Sequence, residues 1–275
     1  MIENIYICLA KLTLMKKLLV LIVASLAGLF AASAQSSYEY KQFVSSEGQD
    51  LNYRLLTPVT VEAKKEYPLV IFLHGAGERG SDNEKQLIHG SQIFLNPATQ
   101  EKYPAYVLFP QCPEDAFWGY QKYPGSFDKL PVDGEMSSVF KAVHELILEY
   151  INMPSIDDSR VYIMGLSMGG MGTYDMVSRF PDLFAAAVPI CGAIAPGRIA
   201  AAKDVKFRIF HGDADTVVPV ECSRKAYREL RAAGADVEYF EFAGCAHGSW
   251  NPAFNVPDFM EWVFAQKKGK RSRKK

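Results

Sequence analysis

The sequence predicts an α/β fold: a doubly wound, mostly parallel sheet preceded by an antiparallel N-terminal hairpin. Three observations predict it. Six short apolar runs recur along the chain, each the length of a strand covered on both faces. Segments with helical spacing lie between them, and alternation of strands with helices is the pattern of a parallel sheet. No repeat or low-complexity linker divides residues 35–268, so they are expected to form one domain.

The hairpin is read from YEYKQFVSSEGQDLNYRLLTP, which alternates around a glycine turn. The six runs follow: PLVIFLH at 68–74, AYVLFP at 105–110, RVYIMG at 160–165, FAAAVPI at 184–190, FRIFHG at 207–212 and VEYFEF at 237–242. The stretch 132–151 puts apolar residues at helical spacing. A second helix leaves the GG pair at 169–170 and stops at Pro181. VECSRKAYRELRAAG ends on Gly234, a good helix stop, and VPDFMEWVFAQKK closes the domain. Functional sites of such sheets lie at the carboxyl ends of the strands.

The ends read differently from the middle. From Met15 the chain runs MKKLLVLIVASLAGLFAASAQSS: two lysines, an apolar stretch, then small residues before Gln35. That is the pattern of a secretory signal peptide over residues 1–34, with Met15 the more natural start. The run Leu18–Ala34 is at the short end of what spans a bilayer and lacks a basic flank after it, so no anchor is expected after cleavage. The expected location is the periplasm or the extracellular space. Residues 269–275 are basic, without apolar partners, and read as a solvated disordered tail.

Composition narrows the partners. Apolar residues make up 49% of the chain, enough for a large core, and the formal net charge is −1. So balanced a charge gives no field for nucleic acid or an anionic membrane. Cys112, Cys191, Cys222 and Cys245 are too few for a disulfide framework, and small buried thiols are the default. Cys222 and Cys245, near two later motifs, are the first pair to check for a bridge.

The chemistry concentrates at strand ends. GLSMGG, at 165–170, ends one apolar run and opens a helix, which is the setting of a nucleophile elbow, G-x-S-x-G. Three fixed positions match by chance about once in ten chains of this length, so Ser167 needs partners. His247 follows the last strand and is the one histidine downstream of both Ser167 and a suitable carboxylate. His144 lies mid-helix and His89 in a polar loop, while His74 and His211 end strands as HG pairs, where a histidine more often braces a loop. HGDADTVVP supplies the acid. Asp213 suits a turn cap, and Asp215, farther out, suits a reach to the neighbouring loop; the order Ser…Asp…His favours Asp215.

Oxyanion donors are expected from the N–H of Met168 and from the loop LHGAGERGSDN, at Ala76 or Gly77. A phosphate-loop reading of HGAGERG fails, because no GK[ST] follows and G-x-G-x-x-G spacing is absent. No cofactor signal appears, and His74, Glu78 and Asp82 lack metal spacing backed by a second cluster, so neither a cofactor nor a metal is expected.

HGAGERGSDN, PQCPEDAFW, GLSMGGMGTY, HGDADTVVP and AGCAHGSWNPAF, in this order, resemble the secreted esterase branch of the α/β-hydrolase superfamily. Phospholipase/carboxylesterases, dienelactone hydrolases, polyhydroxybutyrate depolymerases and feruloyl esterases are related to it, as are proteins labelled predicted peptidases. The resemblance covers residues 38–268. It implies an α/β-hydrolase fold and a Ser167–His247–Asp215 triad working through an acyl-enzyme. It favours Ala76 over Gly77, although HGAG departs from the HGGG of lipases. The alternatives are a peptidase of the same fold and a non-catalytic binding member. Peptidases of this fold usually carry a propeller or large cap, and the spacing here leaves room only for residues 80–103 and 114–134. Trp118 and Trp250 are the expected walls of a pocket for short-chain or aromatic esters, including acetyl or feruloyl esters of plant carbohydrate.

Overall fold

The computed structural model describes residues 37–120 and 126–268; the expected signal segment and basic tail lie outside them. One eight-stranded sheet runs through these residues in the order β1-β2-β4-β3-β5-β6-β7-β8. Its strands are β1 (Glu39–Val44), β2 (Asp50–Leu56), β3 (Tyr67–Leu73), β4 (Tyr106–Pro110), β5 (Ile156–Leu166), β6 (Ala186–Ile190), β7 (Lys206–Gly212) and β8 (Val237–Phe242). The hairpin β1–β2 and the β2–β4 pair are antiparallel, and every other neighbour pair is parallel.

The apolar runs are continuous because the sheet is covered on both faces. All seven residues of β3 are buried. Leu69, Ile71 and Leu73 join one core with α3 (Ser138–Ile151), α4 (Met168–Arg179) and α5 (Glu221–Ala232). Val70 and Phe72 face the other core, with α6 (Trp250–Phe254) and α7 (Phe259–Ala265). Side chains of a strand alternate between faces, so one unbroken run serves two cores. Among the described residues no helix is long and apolar enough to cross a membrane.

The structure differs from the sequence reading, or adds to it, in four places. The helix read over 132–151 begins only at Ser138, after its Ser137 cap. Strand β5 begins at Ile156, ahead of the run at 160–165. Residues 80–103 fold into α1 (Ser91–Leu95) and α2 (Pro97–Lys102), the second capped by the Asn96 side chain accepting from Ala98 N. The closing helix is shorter than VPDFMEWVFAQKK. It starts after Pro257 and ends at Ala265, where Gln266 turns extended and Lys268 N donates to Ser159 O at 3.0 Å.

Sheet order positions the site. β3 and β5 are neighbours, with Leu73 opposite Gly165, so the loop after β3 and the elbow after β5 leave the sheet side by side. The loops after β7 and β8 leave from the parallel pair on the far side of β6.

Candidate active site

Ser167 is the turn between β5 and α4. Its φ of 54° and ψ of −118° are strained for a residue with a Cβ. The turn is held by Ser167 N donating to Ile190 O at 2.9 Å. Glycine is required around it: a Cβ on Gly169 would run into the Leu73 carbonyl, and one on Gly165 would sit 2.7 Å from the same oxygen. The serine hydroxyl is thereby lifted above the strand ends.

His247 meets it from the loop after β8, with Nε2 2.9 Å from Ser167 Oγ. Nδ1 lies 2.8 Å from Asp215 Oδ2. Because a carboxylate only accepts, Nδ1 carries the proton and Nε2 is the acceptor for the serine O–H. Asp215 Oδ1 accepts from Val217 N at 2.8 Å and Val218 N at 2.9 Å. Burial pushes its carboxyl up, but the bonds from His247 and from the Val218 and Val217 amides outweigh this and hold it below the usual range. Trp250 stands edge-on to the His247 ring, with centroids 5.6 Å apart.

Asp213 is exposed and caps a turn, as its position suggested, but in the neighbouring loop: its Oδ1 accepts from Gly244 N at 2.6 Å. His74 braces a loop, and His211 is buried with Nε2 2.9 Å from Val218 O. His74 Nε2 accepts from Cys112 N at 2.9 Å while Nδ1 donates to Gly75 O at 2.6 Å, and burial pushes its pKa down to about 4. His144 stacks on Phe180 at 3.7 Å. His89 is more than a surface residue: its ring lies 5.1 Å from that of Trp250 and its Nε2 3.7 Å from Glu78 Oε1.

A cleft of about 460 Å³ opens beside the serine. Ala76, Phe117, Phe127, Ser167, Met168, Met171, Val217 and Val218 line it. Ala76 opens a short turn after β3 and Met168 is the first residue of α4, so backbone from two elements flanks Ser167; Gly77 lies exposed one residue further along the turn. Arg79 Nε donates to Ala76 O at 3.0 Å and Nη1 to Ala116 O at 3.2 Å, tying this turn to the cleft wall.

Trp118 does not line the cleft. It is 1% exposed, its Nε1 donates to His74 O at 3.0 Å, and its Cβ lies where Gly172 leaves no room for another. Phe117 faces the cleft in its place. The apolar character of VV in HGDADTVVP was the available signal for Val217 and Val218.

One buried carboxylate fastens this wall to the helix behind it. Asp175 on α4 takes Arg179 Nε and Arg198 Nη2, each at 2.8 Å. Arg179 also reaches Gly134 O, and Arg198 reaches Pro131 O at 3.3 Å. Gly119 packs directly on the carboxylate.

All four described cysteines are unbridged thiols, so Cys222 and Cys245 are not paired. Cys191 Sγ lies within 4.8 Å of donor atoms of Asp215 and His247, a spacing a metal could use. Burial pushes that thiol up to about 12, and the other two groups bond each other, so the donor set is a poor match for a cation.

The phospholipase/carboxylesterase family matches residues 56–261. The chain belongs to that family. A solved thermostable esterase is 36% identical with a TM-score of 0.78, over 84% of this chain and 63% of that one. Poly(3-hydroxyalkanoate) depolymerase C of Paucimonas lemoignei is 28% identical over 60% of this chain and 37% of its own length. A probable SOBER1-like carboxylesterase of Arabidopsis thaliana is 28% identical over 66% of this chain and 73% of its own length. The chain thus spans less than two thirds of the depolymerase and of the thermostable esterase. The fold agrees: a mostly parallel eight-stranded sheet with an antiparallel N-terminal pair is an α/β-hydrolase fold.

Proposed function

We propose that this protein is an exported serine carboxylesterase acting on short-chain or aromatic esters. The observation that carries the reading is the continuous chain Ser167 Oγ–His247 Nε2 at 2.9 Å and His247 Nδ1–Asp215 Oδ2 at 2.8 Å. In this reading His247 takes the hydroxyl proton as Ser167 attacks the ester carbon. Asp215 fixes the imidazole tautomer and stabilises the imidazolium. The N–H groups of Met168, at the positive end of α4, and of Ala76 receive the developing oxyanion. His247 then protonates the departing alcohol, and water, activated by the same imidazole, releases the acid.

The cleft supports the substrate class. Phe117, Phe127, Met168 and Met171 offer flat or pliable apolar walls, suited to an acetyl or aromatic acyl group such as feruloyl. Export rests on the lysines and small residues flanking the apolar stretch from Leu18 to Ala34, and favours an ester carried on plant carbohydrate over a cytosolic metabolite.

A fluorophosphonate probe tests the chemistry: it is expected to label Ser167, and labelling elsewhere overturns the reading. A panel of nitrophenyl esters, methyl ferulate, acetylated xylan and aminoacyl anilides tests the substrate. Anilide turnover above ester turnover points to a peptidase.

A further inference from the structure

Asp215 is approached by a second imidazole. His211 ends β7 with its side chain fully buried. Its Nε2 lies 2.9 Å from the Val218 carbonyl and 3.2 Å from Asp215 Oδ2. Both are acceptors, so Nε2 carries the proton: it bonds Val218 O and presents its positive edge to Asp215 Oδ2. Nδ1, 2.7 Å from Ser223 Oγ on α5, is then the acceptor of the serine O–H. Burial lowers the pKa of His211, which suits the neutral ring that this pattern needs.

The consequence falls on Asp215. Its Oδ1 is fixed by two amides of its own loop, and that alone leaves Oδ2 to be aimed by His247, the group it is meant to orient. The proton on His211 Nε2 supplies an independent reference from the sheet. It comes from a strand end rather than a loop, and Ser223 sets its tautomer from a helix.

We propose that His211 is a positioning residue for the hydrolytic reaction, whose Nε2–H, oriented by Ser223, holds Asp215 Oδ2 in line with His247 Nδ1. This rests on the triad reading above. The rival role is a brace for the Val218 loop, with no bearing on the carboxylate. In a loop brace the loss would fall on stability and KM; in a positioning residue it falls on kcat and requires Asp215.

Two substitutions separate these. The amide nitrogen of His211→Gln falls near the imidazole Nε2 and can donate to the same acceptors. That of His211→Asn reaches only as far as Nδ1 and leaves both acceptors unfed. With a nitrophenyl ester, His211→Asn is expected to lose about 10–100-fold in kcat with KM little changed, the size seen when a supporting hydrogen bond behind a functional ligand is removed. His211→Gln should recover most of it. In an Asp215→Asn background, His211→Asn should have no further effect, because the pair is coupled. Undiminished kcat in His211→Asn, or a loss that persists in full without the Asp215 carboxylate, overturns the proposal. If His211→Asn does not fold, Ser223→Ala keeps the ring and removes only its orienting donor. A loss of about three-fold in kcat, absent in the Asp215→Asn background, is then expected, and unchanged kcat overturns the proposal. Fluorophosphonate labelling of the unsubstituted protein keeps the two readings apart. If Ser167 does not label, the triad reading fails; if it labels and His211→Asn is fully active, only the role of His211 fails.

Discussion

His247 Nε2 and Ser167 Oγ stand 2.9 Å apart although 80 residues separate them in sequence. Each is held by backbone geometry that does not depend on the other: the serine by its strained turn, the histidine by the loop after β8. Ser167→Ala is therefore expected to fold normally and to lose about 10⁴–10⁶ in turnover of a nitrophenyl ester. Full activity in a folded alanine variant would remove Ser167 from the mechanism.

The two aspartates of HGDADTVVP should separate cleanly. Asp215→Asn is expected to lower kcat by about 10⁴, because the carboxamide no longer selects the Nδ1–H tautomer of His247. Asp213→Asn loses one charged acceptor for Gly244 N and is expected to cost about 1 kcal/mol in urea unfolding with kcat nearly intact. Reversed outcomes would move the acid to Asp213.

Phe117 and Trp118 are adjacent and should behave differently. Phe117→Ala opens the cleft wall and is expected to raise KM for methyl ferulate several-fold more than for an acetate ester. Trp118→Ala removes a fully buried ring and its bond to His74 O, which is expected to cost about 3–5 kcal/mol in stability. Equal KM effects of Phe117→Ala on both ester types would count against an aromatic acyl pocket.

Acid should weaken the fold before the carboxylates titrate. His74 is buried neutral, its pKa moved from 6.5 to about 4. The unfolded chain thus takes a proton first as pH falls, so the stability from this group is present above about pH 6.5 and is lost between there and pH 4. The shift corresponds to roughly 2–3 kcal/mol by pH 4.5. His211, also lowered by burial, acts in the same direction. Urea unfolding at pH 7 and pH 4.5 should show that loss, and His74→Gln should reduce the difference between the two pH values. An unchanged difference would mean that His74 is not held neutral.

The sheet was legible because strands buried on two faces leave runs such as PLVIFLH, which need no partner to be recognised. The elbow was legible because glycines are forced where Leu73 O and Gly169 come close. The start of β5 at Ile156 was not, since its Asp157–Ser159 segment is polar and buried through local bonds, Ser159 N and Oγ to Asp157 Oδ1. Nor was the choice between Phe117 and Trp118. That orientation is decided by the His74 carbonyl and by the gap at Gly172, both distant in sequence. The pairing of His211 with Asp215 depends on a loop returning over its own strand end, which spacing alone does not reveal.

Asp175 gives the molecule a mechanical property. Its partners Arg179 and Arg198 bind the carbonyls of Gly134 and Pro131, and its own helix begins at the residue after Ser167. The rim that bears Phe117 and Phe127 is therefore bolted to the same rod that carries the nucleophile. Exchanging that rim for one from a relative, as a route to new acyl preference, succeeds only if the graft brings backbone carbonyls to the two guanidinium groups. Without them a buried carboxylate and two arginines are left poorly matched, and the whole rod, with the serine at its tip, loses its alignment.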